Sequence, residues 1–327
     1  MFNMRVDVET YMAPNGREMR IPVTTLLPET GDVDDSRLHM WVPGFGEPIE
    51  HSTQIAQALA NRLGNPVGTY AQPIGGYVDR PRTDVPLIYR DGLRIALERT
   101  EQEYDNATHK DVSGHSMAGL AIGHLLEDEP DSFEVIELVK AVGTTTIHES
   151  EEGGPVSIRD QLQAREFYTR HREGVAMLMN FAGVRHMGET IAHVRKQPRH
   201  MSHLLRQASY EASRQFFTRG PVNTIGLAAV AAQVDIGHAL SKARESHTRV
   251  GAIAGRHDQI INAEAMSGSL VGRELVDKFE NVNSGHIPLA SSRGMQEIEL
   301  VADSVLELQD MLPTERLTSP EPKAAAA

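Results

Sequence analysis

The segment GHSMAG, residues 114–119, constrains the fold of this chain more strongly than any other part of the sequence. A short run with the character of a buried strand precedes it, and the apolar spacing of residues 120–126 predicts a helix after it. A tight turn between them would hold Ser116 in a strained conformation with its hydroxyl above the sheet. Such a turn needs very small side chains two positions before and after the serine, and Gly114 and Ala118 meet that need. A string this short also occurs by chance, so the interpretation depends on the strand and helix around it.

The length and composition are those of an ordinary globular chain. Its 327 residues allow one large α/β domain with an insertion or two modest domains, and 40% of them are hydrophobic and 24% charged. A formal net charge of -13 and the lack of any run rich in lysine and arginine argue against general nucleic-acid binding. The chain has no cysteine, which excludes disulfides, thiolate metal ligands and a cysteine nucleophile.

The sequence also bears on location. No apolar stretch reaches the roughly 18 to 20 residues that are needed to cross a bilayer. The N-terminus lacks a charged segment followed by an apolar one. We therefore expect a cytoplasmic protein with no membrane span.

Strands and helices alternate through the first half of the chain. Residues 6–11 and 20–27 flank an Asn15-Gly16 turn and predict an antiparallel hairpin. Further strands are predicted at residues 38–42, 66–70, 135–142, 249–255 and 278–282, and helices at residues 52–63, 87–104 and 294–312. This order predicts a mainly parallel sheet with helices on both faces.

The alternation stops between residues 149 and 248, where every apolar segment has helical spacing. We expect this segment to form a helical cap inserted into the α/β core, with a hinge at Gly153-Gly154. The core would then comprise residues 1–148 and 249–314, and residues 315–327 would be a disordered tail.

A serine nucleophile needs a base to take its proton and an acid to orient that base. Parallel sheets place reactive groups on loops beyond the carboxyl ends of strands, and Asp258 lies in such a loop, three residues after Gly255. We choose Asp258 as the acid. Asp235 is a rival by composition only, because it lies within a helical stretch, and no carboxylate directly follows the strand that ends at Val142.

His286 is the candidate base. Of the 15 histidines, it alone lies directly after the last predicted strand with a preceding glycine, Gly285, that lets the ring approach the serine. Successive residues of an extended segment point in opposite directions. His257 should therefore point away from the site that Asp258 faces, and His115 should pack beneath the turn.

Backbone N–H groups that are already fixed could stabilise a developing oxyanion. Met117 follows the serine at a predicted helix N-terminus and is one candidate donor. The loop Gly44-Phe45-Gly46, after a neighbouring strand, could supply another from Phe45. A glycine-rich loop of this kind could equally be a plain turn.

Ser116, Asp258 and His286 in this chain order, the Gly44-Phe45 loop and a helical insertion before the acid make the chain resemble the α/β-hydrolase superfamily. The Gly-His-Ser-Met turn is similar to that of cap-bearing esterases and lipases. The resemblance implies an eight-stranded, mostly parallel sheet with an inserted helical cap, an acyl-enzyme on Ser116, and a pocket between sheet and cap. Ala118 stands where many relatives have glycine, and Pro43 where many have histidine.

The resemblance also implies a function, namely a cofactor-free serine hydrolase that cleaves an ester or related acyl bond of a small, partly apolar substrate. The serine argues against the haloalkane-dehalogenase and epoxide-hydrolase branches, which use a carboxylate nucleophile. Met177, Met179 and Phe181 could line an apolar acyl pocket or form the core of the cap itself. Two alternatives remain open: a hydrolase-shaped receptor or regulator with vestigial turnover, and lyase or perhydrolase chemistry on the same three residues.

A metal site is the remaining possibility in the cap segment. Its histidines recur at spacings that would share one helical face: His186, His193, His200 and His203. Pro198 interrupts that helix and no carboxylate completes the set, so we predict no metal.

Overall fold

The computed structural model describes residues 6–13, 16, 18–44, 47, 49–72, 81–150, 154–163, 233–258, 260–286 and 294–313. The strands in these residues are β1 (Asp7–Met12), β2 (Glu18–Leu26), β3 (Arg37–Val42), β4 (Val67–Tyr70), β5 (His109–His115), β6 (Val135–Val139), β7 (Arg249–Gly255) and β8 (Lys278–Val282). The helices are α1 (Ile49–Leu63), α2 (Pro81–Glu103), α3 (Ala118–Asp128), α4 (Ile158–Gln163), α5 (Gly237–Glu245), α6 (Ala263–Leu270) and α7 (Gly294–Asp310).

The eight strands form one sheet in the order β1-β2-β4-β3-β5-β6-β7-β8. β2 pairs antiparallel with β1 and β4, and every other pair is parallel. The predicted eight-stranded, mostly parallel sheet is confirmed. Because β3 to β8 run in the same direction, their carboxyl ends share one edge of the sheet, with His115 opposite Val139 and Gly255 opposite Val282.

Successive residues of the central strands face opposite helix layers. On β3, Met40 and Val42 point into the larger hydrophobic cluster, whereas Trp41 between them points into a second one. Residues of α2, α3, α5 and α6 complete the larger cluster, and residues of α1 and α7 complete the second. Helices therefore cover both faces, as predicted, and this explains why the inner strands β3 to β7 are buried along almost their whole length instead of at alternate residues.

α5 lies inside the range that was predicted as cap, and it packs in the α/β layer directly before β7. Its residues Ala239, Leu240 and Ala243 are fully buried in the larger cluster. Ile236 lies so close to α3 that a Cβ added to Gly123 would come within 2.5 Å of it. The boundaries of the cap stay a prediction, because residues 164–232 lie outside the described residues.

The two stems on either side of residues 164–232 are tied together by side chains. Gln161 Nε2 donates to the Asp235 carbonyl oxygen at 2.8 Å, and Gln161 Oε1 accepts from the Asp235 N–H at 2.8 Å. The Asp235 carboxylate accepts from the His148 N–H at 2.9 Å and pairs with Arg273, whose Nη1 lies 3.0 and 2.9 Å from its oxygens. We call this arrangement the Gln161–Asp235 joint.

Candidate active site

Ser116 occupies a strained turn between β5 and α3. Its φ angle of 55° lies in the left-handed region that non-glycine residues avoid. A Cβ added to Gly114 would lie 2.5 Å from the Cβ of Ala118 and 2.7 Å from Cδ1 of Ile122, so position 114 must be glycine. The turn is fixed to the next strand because the Ser116 N–H donates to the Val139 carbonyl oxygen at 3.1 Å.

The structure brings Ser116, His286 and Asp258 into one hydrogen-bonded chain. Nε2 of His286 lies 2.9 Å from the Ser116 Oγ, and Nδ1 lies 2.8 Å from Oδ2 of Asp258. The other carboxylate oxygen of Asp258 accepts from the N–H groups of Ile260 and Ile261 at 2.8 and 2.9 Å. A carboxylate only accepts here, so the imidazole Nδ1–H donates to it and Nε2 is free to accept the serine proton.

Two neighbouring loops at the carboxyl edge of the sheet carry the acid and the base. The acid loop, residues 255–258, follows β7, and the base loop, residues 283–286, follows β8. The Arg256 N–H donates to the Val282 carbonyl oxygen at 2.9 Å, and the His257 N–H donates to that of Ser284 at 3.0 Å. These bonds hold Asp258 against His286 although the two residues come from different loops.

Burial lowers the pKa of His286 from 6.5 to about 4. The Asp258 carboxylate opposes this shift by favouring the imidazolium, whereas His115 and Lys140 add to it. Burial alone would raise the pKa of Asp258, but hydrogen bonds from His286 and from the backbone hold it below its ordinary value. At neutral pH the site therefore holds a neutral imidazole beside a carboxylate, which is the protonation state of a general base.

The rivals that were weighed from the sequence lie elsewhere. Asp235 is bound in the Gln161–Asp235 joint and paired with Arg273. The exposed ring of His257 reaches Asn283, with 2.7 Å between His257 Nε2 and Oδ1 of that residue. His115 lies beneath the turn, with its ring centroid 5.0 Å from that of His286.

Glu47 is a residue of this region that the sequence analysis missed. Its buried carboxylate accepts from the Gly44 N–H at 2.9 Å and from the Ser52 hydroxyl at 3.0 Å. His115 Nδ1 lies 3.8 Å from the same carboxylate, and His115 Nε2 lies 2.8 Å from the backbone carbonyl oxygen of His286. Burial works against ionisation, but hydrogen bonds from His115 and His51 hold the pKa of Glu47 well below its usual range. A second carboxylate–histidine pair thus connects the loop after β3 to the base loop.

Of the two candidate oxyanion donors, Met117 is among the described residues and Phe45 is not. Met117 follows the nucleophile directly before α3, and no described residue accepts a hydrogen bond from its N–H. Phe45 lies outside the described residues, but its neighbour Gly44 approaches the nucleophile closely. A Cβ added to Gly44 would lie 3.3 Å from the Cβ of Ser116 and 2.8 Å from Nδ1 of His115.

The candidate pocket residues and the cap histidines lie outside the described residues: Met177, Met179, Phe181, His186, His193, His200 and His203. Within the described residues, no group of three or more histidine, aspartate or glutamate side chains is placed to hold a metal ion. None of the described helices is long and apolar enough to cross a membrane. The cytoplasmic location stays a prediction.

No protein family model and no curated protein matches the chain. Solved structures do match. An esterase from Thermogutta terrifontis, with malate bound, is 13% identical, covers 94% of this chain and 98% of its own, and has a TM-score of 0.53. A carboxyl esterase from the mycorrhizal fungus Tuber melanosporum is 14% identical over 96% of this chain and 88% of its own, with a TM-score of 0.53. A bromoperoxidase from Bacillus anthracis is 16% identical over 93% of this chain and 100% of its own, with a TM-score of 0.53.

At these identities the matches bear on the fold. Together with the strand order and the turn at Ser116, they show that this chain has the α/β-hydrolase fold, as the resemblance implied. The particular reaction has to be argued from the site.

Proposed function

We propose that this protein is a serine hydrolase that cleaves a carboxylic ester or related acyl bond of a small, partly apolar substrate. The observation that carries the proposal is the continuous chain from the Asp258 carboxylate through His286 to the Ser116 hydroxyl, with bonds of 2.8 and 2.9 Å. A serine hydroxyl becomes a useful nucleophile only when an oriented base takes its proton. The likeness to two esterases supports an acyl substrate.

In this mechanism Nε2 of His286 takes the proton of Ser116 as Oγ attacks the acyl carbonyl carbon. The carbonyl π electrons move to oxygen, and the resulting oxyanion faces the N–H groups of Met117 and Phe45. The tetrahedral intermediate collapses, and the imidazolium gives its proton to the leaving alcohol, which departs and leaves the acyl group on Oγ. Water then repeats the sequence, with its proton going to His286 and then to Oγ, and the carboxylic acid is released.

The surroundings of the base suit this cycle. His286 is neutral at physiological pH because burial lowers its pKa to about 4, so it is ready to accept a proton at rest. The imidazolium that forms lies 2.8 Å from the carboxylate of Asp258, which stabilises the positive charge. No cofactor takes part in any step.

The pocket would lie between the carboxyl edge of the sheet and the proposed helical cap, which would come from residues 149–248 without α5, since that helix packs in the α/β layer. Met177, Met179 and Phe181 would contribute to its apolar wall. Replacing these three residues by alanine should then change the relative rates for acetyl, butyryl and octanoyl esters, because apolar discrimination is worth about 1 to 3 kcal/mol.

The test is reaction of the purified protein with a fluorophosphonate probe, followed by assays on p-nitrophenyl esters of increasing chain length. We expect the protein to be labelled once and to hydrolyse at least one ester. Ser116→Ala should abolish labelling and lower kcat/KM about 10⁵-fold or more. Its thermal unfolding should change little, because the substitution removes one hydrogen bond, to His286, and leaves the backbone of the turn in place.

Labelling that persists in Ser116→Ala would place the nucleophile elsewhere. A protein that is neither labelled nor active on any ester would favour the receptor or regulator alternative.

A further inference from the structure

Lys140 is a buried cation behind the catalytic groups that the mechanism does not use. It directly follows β6, its side chain is fully buried, and its φ angle of 47° is in the left-handed region. Its N–H donates to the carbonyl oxygen of Ile253 on β7 at 2.8 Å. Its Nζ forms an ion pair with Glu297 in the first turn of α7, whose side chain is 5% exposed.

The stem of Lys140 lies where the acid loop and the base loop meet. A Cβ added to Gly255 would lie 3.1 Å from Cε of Lys140, 2.8 Å from the Ser284 carbonyl oxygen and 3.1 Å from that of Gly285. Gly255 begins the loop that ends at Asp258, and Ser284 and Gly285 directly precede His286. The lysine stem therefore lies against Gly255 at the start of the acid loop, where the base-loop backbone also approaches this residue.

A buried ion pair of this kind contributes little net stability to a fold. The desolvation of two charges offsets most of their attraction, and apolar replacements of similar volume are often neutral or stabilising. Lys140 and Glu297 lie behind Asp258 and His286, which in the proposed mechanism must keep a fixed distance for proton transfer. The position of this ion pair next to the two loops indicates a role in the candidate active site.

We propose that Lys140 and Glu297 form a positioning pair that holds the acid loop and the base loop in their reactive arrangement and adds its charges to the surroundings of His286. The inference rests on the hydrolase function proposed above, because it assigns these residues to the same site. Lys140 acts through Asp258 and His286 and does not touch the reacting atoms.

Among the described residues, the titratable and charged groups around His286 come from several elements: Asp258 on the acid loop, His115 at the end of β5 with Glu47 behind it, and Lys140 after β6 with Glu297 on α7. Arg256 and His257, also on the acid loop, are exposed to solvent. In this set the Lys140 ammonium disfavours the imidazolium, and it lowers the pKa of His286 while Asp258 raises it. Of the two members of the pair, Lys140 is the one among the named charges that shift this pKa, so removal of the pair should raise the pKa of His286.

The experiment compares Lys140→Met/Glu297→Leu with the wild-type protein. The pKa of His286 is measured by NMR titration of the labelled imidazole, assigned with His286→Gln, and kcat and KM are measured against pH on a p-nitrophenyl ester. We expect a higher pKa for His286, an acid limb of kcat/KM shifted to higher pH, and a kcat that is roughly tenfold lower with little change in KM, as for a small misplacement.

The chain offers a control pair that also joins the sheet to α7. Lys278 on β8 and Glu307 on α7 form another Lys–Glu pair, with 2.6 Å between Nζ and Oε2. Lys278→Met/Glu307→Leu makes the same two chemical changes away from the acid and base loops. It should leave the pKa of His286 and kcat at their wild-type values.

Lys140→Gln/Glu297→Gln is the second variant, in which two amides replace the charges at similar size. An unchanged His286 pKa in either folded variant overturns the proposal, and so does loss of cooperative unfolding in both, which would assign the pair to stability alone. The NMR titration needs no turnover. A protein inactive on all esters would thus refute the hydrolase function while the His286 pKa still decides on the positioning pair.

Discussion

Two buried aspartates at opposite ends of the sheet are held in different ways. Asp111 lies toward the amino end of β5, where Nη1 of Arg37 binds both of its oxygens at 3.0 and 2.8 Å and Gln309 donates at 2.7 Å. Asp258 lies beyond the carboxyl end of β7 and binds His286. The side chains of both aspartates are fully buried.

The difference lies in the partner. A guanidinium has no proton to exchange with a reacting group, so the pair of Arg37 with Asp111 serves the fold. His286 is neutral at rest and can gain a proton, so the charge beside Asp258 can change during a reaction. Under the proposed function, the same side chain is therefore structural at one edge of the sheet and takes part in the reaction at the other.

The largest expected effect is the loss of activity in Asp258→Asn. The amide cannot stabilise the imidazolium and favours the wrong tautomer of His286, so kcat should fall about 10³-fold to 10⁴-fold. The free energy of unfolding should change little. Steady-state kinetics on a p-nitrophenyl ester and urea unfolding measure the two quantities, and an undiminished kcat would move the acid to another residue.

Asp111→Asn should have the opposite outcome and is the matched control for Asp258→Asn. Loss of the carboxylate leaves the buried Arg37 guanidinium with Glu134 alone, whose Oε2 lies 3.4 Å from Nη2, so the free energy of unfolding should fall by about 3 kcal/mol. At a temperature where the variant is folded, kcat/KM should equal that of the wild type. A large loss of kcat without loss of stability would show that the two ends of the sheet are coupled.

The smallest expected effect is in the pH dependence of kcat/KM, which tests whether burial governs His286. The reaction needs neutral His286, so kcat/KM should rise as pH increases through about 4 and remain level from there toward neutral pH. The sign follows from burial, which disfavours the charged imidazole in the free protein. A midpoint near 6.5 in the wild type would mean that the ring is hydrated and that burial does not govern it.

The residues of the candidate site differed in how far the sequence could place them. Ser116, Asp258 and His286 each follow a strand, and a parallel sheet gathers such positions at one edge, so local patterns sufficed to bring them together. Glu47 and the pair of Lys140 with Glu297 could not be recognised. A charged residue in a loop or a first helical turn has the same local pattern whether it faces solvent or the core, and only tertiary contacts distinguish the two.

The helices show the same limit. The sequence indicated that residues near α5 are helical, but helical spacing is the same whether the apolar face packs on a sheet or within a cap. α6 was not predicted at all, because it is short and contains Gly268, and its N-terminal cap from Asn262 Oδ1 to the Ala265 N–H is a weak signal by itself.

The Gln161–Asp235 joint has a consequence for how this protein can diverge. Since the chain ends on both sides of residues 164–232 are fastened to each other and to Arg273, the length of chain between them contributes little to the cost of closing that loop. Doubling such a length costs only about 0.6 kcal/mol. Insertions, deletions or whole replacements between the two stems are therefore compatible with an unaltered set of strands.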